Sequence, residues 1–107
     1  MTRWTIAVTA TADGQVQAIG AWWQVNRPDA PDLFARELAA ALDRLEATPF
    51  SGAEYPAPRP EGTRRILLQR TRYHVYYTVD YYTVDASRRV VVVRAVWHAS
   101  RREPRHR

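Results

Sequence analysis

The sequence predicts an α+β fold of order β-α-α-β-β-β, a small antiparallel-rich sheet with a helical hairpin packed on one face. Three observations carry that expectation. The apolar pattern has period two at the N-terminus and again after residue 64, and a helical period only in between. A chain of 107 residues has room for one core. Apolar residues make up 46% and charged residues 25%, a globular balance. The same length is too short for a doubly wound dinucleotide fold or an eight-fold barrel. With no cysteine, disulfides, thiolate metal sites and cysteine nucleophiles are excluded. No run approaches the roughly 18 apolar residues of a membrane span, and the first residues lack a signal-peptide layout, so a cytoplasmic single domain over 1–107 is expected.

The elements follow in order. Residues 3–10 alternate, with Trp4, Ile6, Val8 and Ala10 on one face, and read as a half-buried strand. From Ala12 to Asn26, Val16, Ile19, Gly20 and Trp23 mark one face of a helix, which Asn26-Arg27-Pro28 breaks. A second helix opens at Asp29 or Asp32, either of which can cap it, with Pro31 in its first turn. Its stripe is Phe34, Leu38, Ala41, Leu42 and Leu45, with Glu37 outside it, and Pro49 ends it. Residues 48–63, with four prolines and two glycines, read as a loop. Three strands follow: Arg64–Gln69, Tyr73–Asp80 and Arg88–His98. The last begins apolar on both faces, which marks a central strand.

Charge is unevenly spread. All 16 basic residues are arginine and the net charge is +5. Residues 1–63 carry five arginines against eight acids, whereas residues 87–107 carry seven against one. Such polarity suits an anionic partner, either nucleic acid or an acidic protein segment.

A five-residue word is written twice: Tyr76–Asp80 and Tyr81–Asp85 both read YYTVD. Five is odd and strand side chains alternate, so Val79 and Val84 would face opposite ways in a continuous strand. One copy is expected to keep the core register, with Val75, Val91, Val93 and Trp97 inside. The other goes to a bulge or a lengthened hairpin between the last two strands, whose edge could pair with a second copy of the chain.

The order and spacing of these pieces resemble the RelE/ParE superfamily of bacterial toxins, the toxin halves of type II toxin–antitoxin pairs. The matching pieces are N26-R27-P28-D29-A30, L42-D43-R44-L45-E46-A47-T48-P49, the S51-G52 loop, G62-T63-R64-R65-I66-L67-L68, Y73-H74-V75-Y76-Y77 and V93-R94-A95-V96-W97-H98-A99-S100-R101-R102. The resemblance implies a cytoplasmic toxin without cofactor or metal, bound by a cognate antitoxin whose acidic segment covers the basic C-terminal half. RelE-like members cut messenger RNA on the ribosome; ParE-like members poison DNA gyrase. The ending W97-H98-A99-S100-R101-R102, the absence of lysine and a histidine at position 74 lean towards the ParE side.

For a RelE-like enzyme the catalytic candidates are His98, Arg94, Arg65 and His74, since RNA cleavage needs an acid-base group and cations at the phosphate. Alternation places Arg94 and His98 on one face with Val90, Val92 and Val96. For target or antitoxin binding the candidates are Arg64, Arg65, Arg70, Arg72, Arg94, His98, Arg101 and Arg102. Trp22, Trp23 and Trp97 read as packing residues, the tyrosines as strand formers, and residues 100–107 as a flexible basic tail. Three histidines without carboxylates at ligand spacing make no metal site. A basic sheet domain binding nucleic acid directly is the third class. The duplication raises a further expectation, that this version of the toxin is attenuated.

Overall fold

The computed structural model describes residues 3–56, 60–81 and 89–100, Tyr81 by its backbone alone. The elements are β1 (Thr5–Val8), α1 (Ala10–Asn26), α2 (Leu33–Ala47), a 3-10 turn (Pro49–Ser51), β2 (Ala53–Glu54), β3 (Arg64–Leu67), β4 (Tyr73–Tyr81) and β5 (Arg89–His98). They form a five-stranded sheet in the order β1-β5-β4-β3-β2. β1 runs parallel to β5 and every other pairing is antiparallel. A parallel pair requires a crossover, and both helices lie within that connection. The fold is thus α+β in the expected order, with one addition. The proline-rich stretch contributes β2, because Ala53 and Glu54 pair with Arg65 and Arg64.

β1 stops two residues short of its expected end. Thr9 sits at the helix N-cap, where its hydroxyl accepts from the Ala12 N–H at 3.1 Å. A satisfied cap stabilises a helix start by about 1 kcal/mol, which draws Ala10 into α1. Asp32 holds the N-cap position of α2 but makes no capping bond. Its carboxylate instead accepts from Gln24 Nε2 at 3.0 Å and ties the two helices together.

The core lies between the helices and one face of the sheet. From α2 come Phe34, Leu38, Ala41 and Leu45, all buried, with Leu42 half-buried beside them. From the sheet come Val75, Tyr77, Val91, Val93 and Val96. Burying each aliphatic side chain is worth about 1.5–3 kcal/mol. Tyr77 has no solvent exposure, and its hydroxyl accepts from the Gly52 N–H at 2.9 Å. Burial pushes that phenol above its ordinary pKa. A Cβ on residue 52 would stand 2.5 Å from Tyr77 Oη and 2.8 Å from the Arg65 carbonyl, so the approach needs glycine.

The first YYTVD copy occupies β4, pairing Tyr77 with Val93 through to Asp80 with Val90. The second copy from Tyr82 onward, and with it the expected lengthened hairpin tip, lies outside the described residues.

One irregularity changes the faces of β5. Pairing passes from Tyr76↔Ala95 directly to Tyr77↔Val93, so Arg94 is an extra residue, a β-bulge. The extra residue shifts the alternation by one. Val91 and Val93 face the helices before the bulge, and Val96 and His98 do so after it. Trp97 pairs with His74 on the other face and is half-buried, not in the core as expected. Arg94 and His98 likewise do not share a face. Arg94 reaches Thr78 and Asp80 on the helix-free side, and His98 meets Tyr73 on the helix side.

Candidate functional site

Two groups of side chains stand out, one on each side of the sheet. On the helix side, a groove of about 640 Å³ runs between the second half of α1, the β3–β4 turn and the end of β5. Trp22 and Trp23 are adjacent on a helix and therefore about 100° apart, so one packet of core cannot take both. Trp23 is buried and donates from Nε1 to the Tyr73 hydroxyl at 3.3 Å, while Trp22 remains 48% exposed. The expectation that both are packing residues holds for Trp23 alone. Arg27 lies over both rings, at 6.0 Å and 5.6 Å from their centroids.

The β3–β4 turn brings Arg70 and Arg72 to the same groove. Glu37 on α2 builds this turn: its carboxylate accepts from the N–H of Arg70 at 2.7 Å, the N–H of Thr71 at 2.9 Å and the Thr71 hydroxyl at 2.6 Å. Burial would raise the Glu37 pKa, but these hydrogen bonds and the Arg70 charge outweigh it and hold the carboxyl below its ordinary value. Arg72 adopts a left-handed φ of 69°, which reverses the chain into Tyr73. His98 stacks edge-on to Tyr73 with centroids 4.9 Å apart, and its Nδ1 accepts from the Ser100 N–H at 3.1 Å. His98, Arg70 and Arg72 therefore converge on the groove with Trp22 and Arg27, while Glu37 holds the turn that carries the two arginines. Sequence reasoning missed Trp22, Arg27 and Glu37, although the Trp-Trp pair was a visible signal.

On the helix-free side, Arg65 lies over the Tyr55 ring at 4.6 Å, and Tyr55 stacks on Tyr76 at 5.2 Å. His74 is half-buried 5.9 Å from the Tyr76 ring. Burial first, then repulsion from Arg65 and Arg72, lowers its pKa and keeps the ring neutral. Arg94 Nε donates to Thr78 Oγ1 at 2.9 Å, and the guanidinium faces Asp80 at 3.7 Å. Arg64 belongs to neither group. It donates to the carbonyls of Gly52 at 2.7 Å and Phe50 at 3.1 Å, which clamps the 3-10 turn. Arg101 and Arg102 lie outside the described residues. Among the described residues no cluster of histidine and carboxylate side chains could hold a metal, and no helix is long and apolar enough to cross a membrane.

A family model described as ParE toxin of type II toxin-antitoxin system, parDE, matches residues 6–103. The chain belongs to the ParE toxin family. This ParE chain also resembles a solved structure described as the chromosomal ParDE TA system from P. aeruginosa. The TM-score is 0.69 at 16% identity, over 92% of this chain and 98% of that one, a likeness of fold. No curated protein matches this ParE sequence. As a ParE toxin of a type II toxin–antitoxin system, it has an antitoxin as its partner.

Proposed function

We propose that this toxin arrests growth by binding and poisoning DNA gyrase in the cytoplasm, and that a cognate antitoxin neutralises it. The observation carrying this reading is the separation of His98 from Arg94 by the thickness of the sheet. Cleavage of RNA requires an acid-base group and cations converging on one phosphate. Here His98 is on one face, Arg94 is engaged by Thr78 and Asp80 on the other, and the chain has no lysine. These features favour a protein that acts by binding.

A second reading, ribosome-dependent cleavage of messenger RNA, is supported by the helix-free face. There His74 is held neutral, as a general base must be, beside Arg65 and Tyr76. The two separate in one comparison, gyrase supercoiling against message integrity in a translating extract, each with added toxin. Lost supercoiling with intact message is the expected result. Cleaved message with unaffected supercoiling, abolished by His74→Ala, would overturn the gyrase reading. Direct binding to nucleic acid needs neither target and would weaken steeply with salt.

A further inference from the structure

The groove between α1, the β3–β4 turn and the end of β5 carries positive charge without a counter-charge in its lining. Arg27, Arg70 and Arg72 line it, no acidic residue does, and none of the three makes an ion pair among the described residues. Glu37 stands beside the turn, but its oxygens bond the Arg70 and Thr71 N–H groups and the Thr71 hydroxyl, not a guanidinium. Trp22 adds an indole that is 48% exposed, with the Arg27 guanidinium 6.0 Å from its centroid. The opposite wall is polar backbone. β1 ends at Val8, so beyond the bulge β5 has β4 alone beside it and its other edge opens on the groove. There the Val96 N–H donates to Gln15 Oε1 at 2.8 Å, which leaves the Gln15 amide nitrogen as a donor at the groove wall. The Val96 carbonyl, an acceptor, lies on the same edge. The cavity of about 640 Å³ falls within the roughly 300–1,000 Å³ of small-ligand sites.

We propose that this groove binds a nucleoside polyphosphate, with its base stacked on Trp22 and its phosphates held by Arg70 and Arg72. Guanidinium forks pair bidentately with phosphate oxygens, and an indole accepts the face of any base. The phosphates belong at the turn and not beside Trp22, because the C-terminal end of α1 lies there and its dipole disfavours an anion. Arg27 offsets that dipole and covers one part of the indole, leaving the rest to the base. The Gln15 amide nitrogen and the Val96 carbonyl offer one donor and one acceptor to the polar rim of the base. Inorganic phosphate leaves the indole unused, and a nucleoside leaves the arginines unpaired; a ligand carrying both groups engages the whole lining. The groove is on the helix side of the sheet, away from His74 and Arg65, so the proposal rests on neither the gyrase nor the RNA-cleavage reading.

The test is calorimetric titration of the full purified chain with ATP, adenosine and inorganic tripolyphosphate. ATP should bind saturably, more weakly as salt is added, and about tenfold or more tightly than either of the other two. An Arg70→Gln/Arg72→Gln variant with unchanged circular dichroism should lose about tenfold in affinity for ATP, and Trp22→Ala a similar factor. Arg36→Gln/Arg44→Gln removes the same charge from the exposed side of α2 and should stay within about twofold of the parent. Tripolyphosphate binding as tightly as ATP would overturn the proposal, since charge alone then accounts for it. An equal loss in the α2 pair, an undiminished affinity in Trp22→Ala, or no binding of ATP would do the same. So would binding of a single-stranded oligonucleotide where ATP does not bind. If the turn variant fails to fold, the three-ligand comparison on the unaltered chain decides the matter by itself.

Discussion

The two halves of β5 are held in different ways. From Val90 to Val93 the strand has a backbone partner on each side and buried side chains at Val90, Val91 and Val93. From Ala95 to His98 β5 has no second strand beside it among the described residues, and polar side chains of the helices serve this end of the sheet. Gln15 takes the Val96 N–H, and Glu37 fixes the neighbouring turn through Arg70 and Thr71. The first half is secured by packing, which is insensitive to pH and charge. The second is secured by a few polar groups and lies beside a groove with a cationic rim. In one strand the molecule separates stability from accessibility.

The sharpest way to break this contrast is at the closed half. Tyr77 pairs with Val93 and is seated by Gly52, so Gly52→Ala forces its methyl against the Tyr77 hydroxyl and the Arg65 carbonyl. Overpacking of this kind should cost about 2–3 kcal/mol, read as a lower denaturant midpoint for the whole chain. A smaller loss is expected at the open half. Glu37→Gln removes charge-assisted acceptance of three hydrogen bonds and should cost about 1–2 kcal/mol at neutral pH. The sign with pH is definite. The folded Glu37 pKa is depressed, so its contribution is full above the unfolded value of about 4.5 and is lost as pH falls through the folded pKa. The parent should therefore lose stability below that value more steeply than the variant, which titration of the thermal midpoint checks.

The smallest effect should come from removing Tyr81–Asp85. Four residues, Ala86 to Arg89, would then join the paired Asp80 and Val90, an ordinary hairpin length. Neither half of β5 is touched, and stability should shift by less than about 1 kcal/mol. Growth inhibition by the two forms tests whether the duplication attenuates the toxin: equal arrest removes that idea. Unfolding of the shorter chain would instead show that the extra residues belong to the core.

How much of this was legible in the sequence depends on where the information sits. α2 was readable because its stripe is periodic and Pro49 bounds it. The end of β1 was not, because Thr9 continues the alternation while its hydroxyl serves a helix cap. The bulge escaped because residues 90–93 are all valine, so period two carries no phase there; only Arg94 within the apolar run hinted at it. Glu37 looked like a solvated helix residue because its partners lie 33 and 34 positions away. His98 and the turn arginines were named as candidates, but Trp22 and Arg27 became visible only once α1 lay alongside the open edge of β5.

The two YYTVD words are chemically identical, yet they do not have equivalent addresses. Sliding β4 by one word would put Asp80 where Val75 sits without solvent exposure, and Thr78 where Tyr73 stacks on Phe34 and His98. A buried, unpaired carboxylate costs several kcal/mol, so the slipped register is closed although every residue of the word itself would match. What selects the first copy is thus its upstream neighbours, Tyr73-His74-Val75, which act as a key that the second copy lacks. Cutting out either word leaves the same polypeptide. Reversion of the duplication would therefore leave no trace of which copy had been in the sheet.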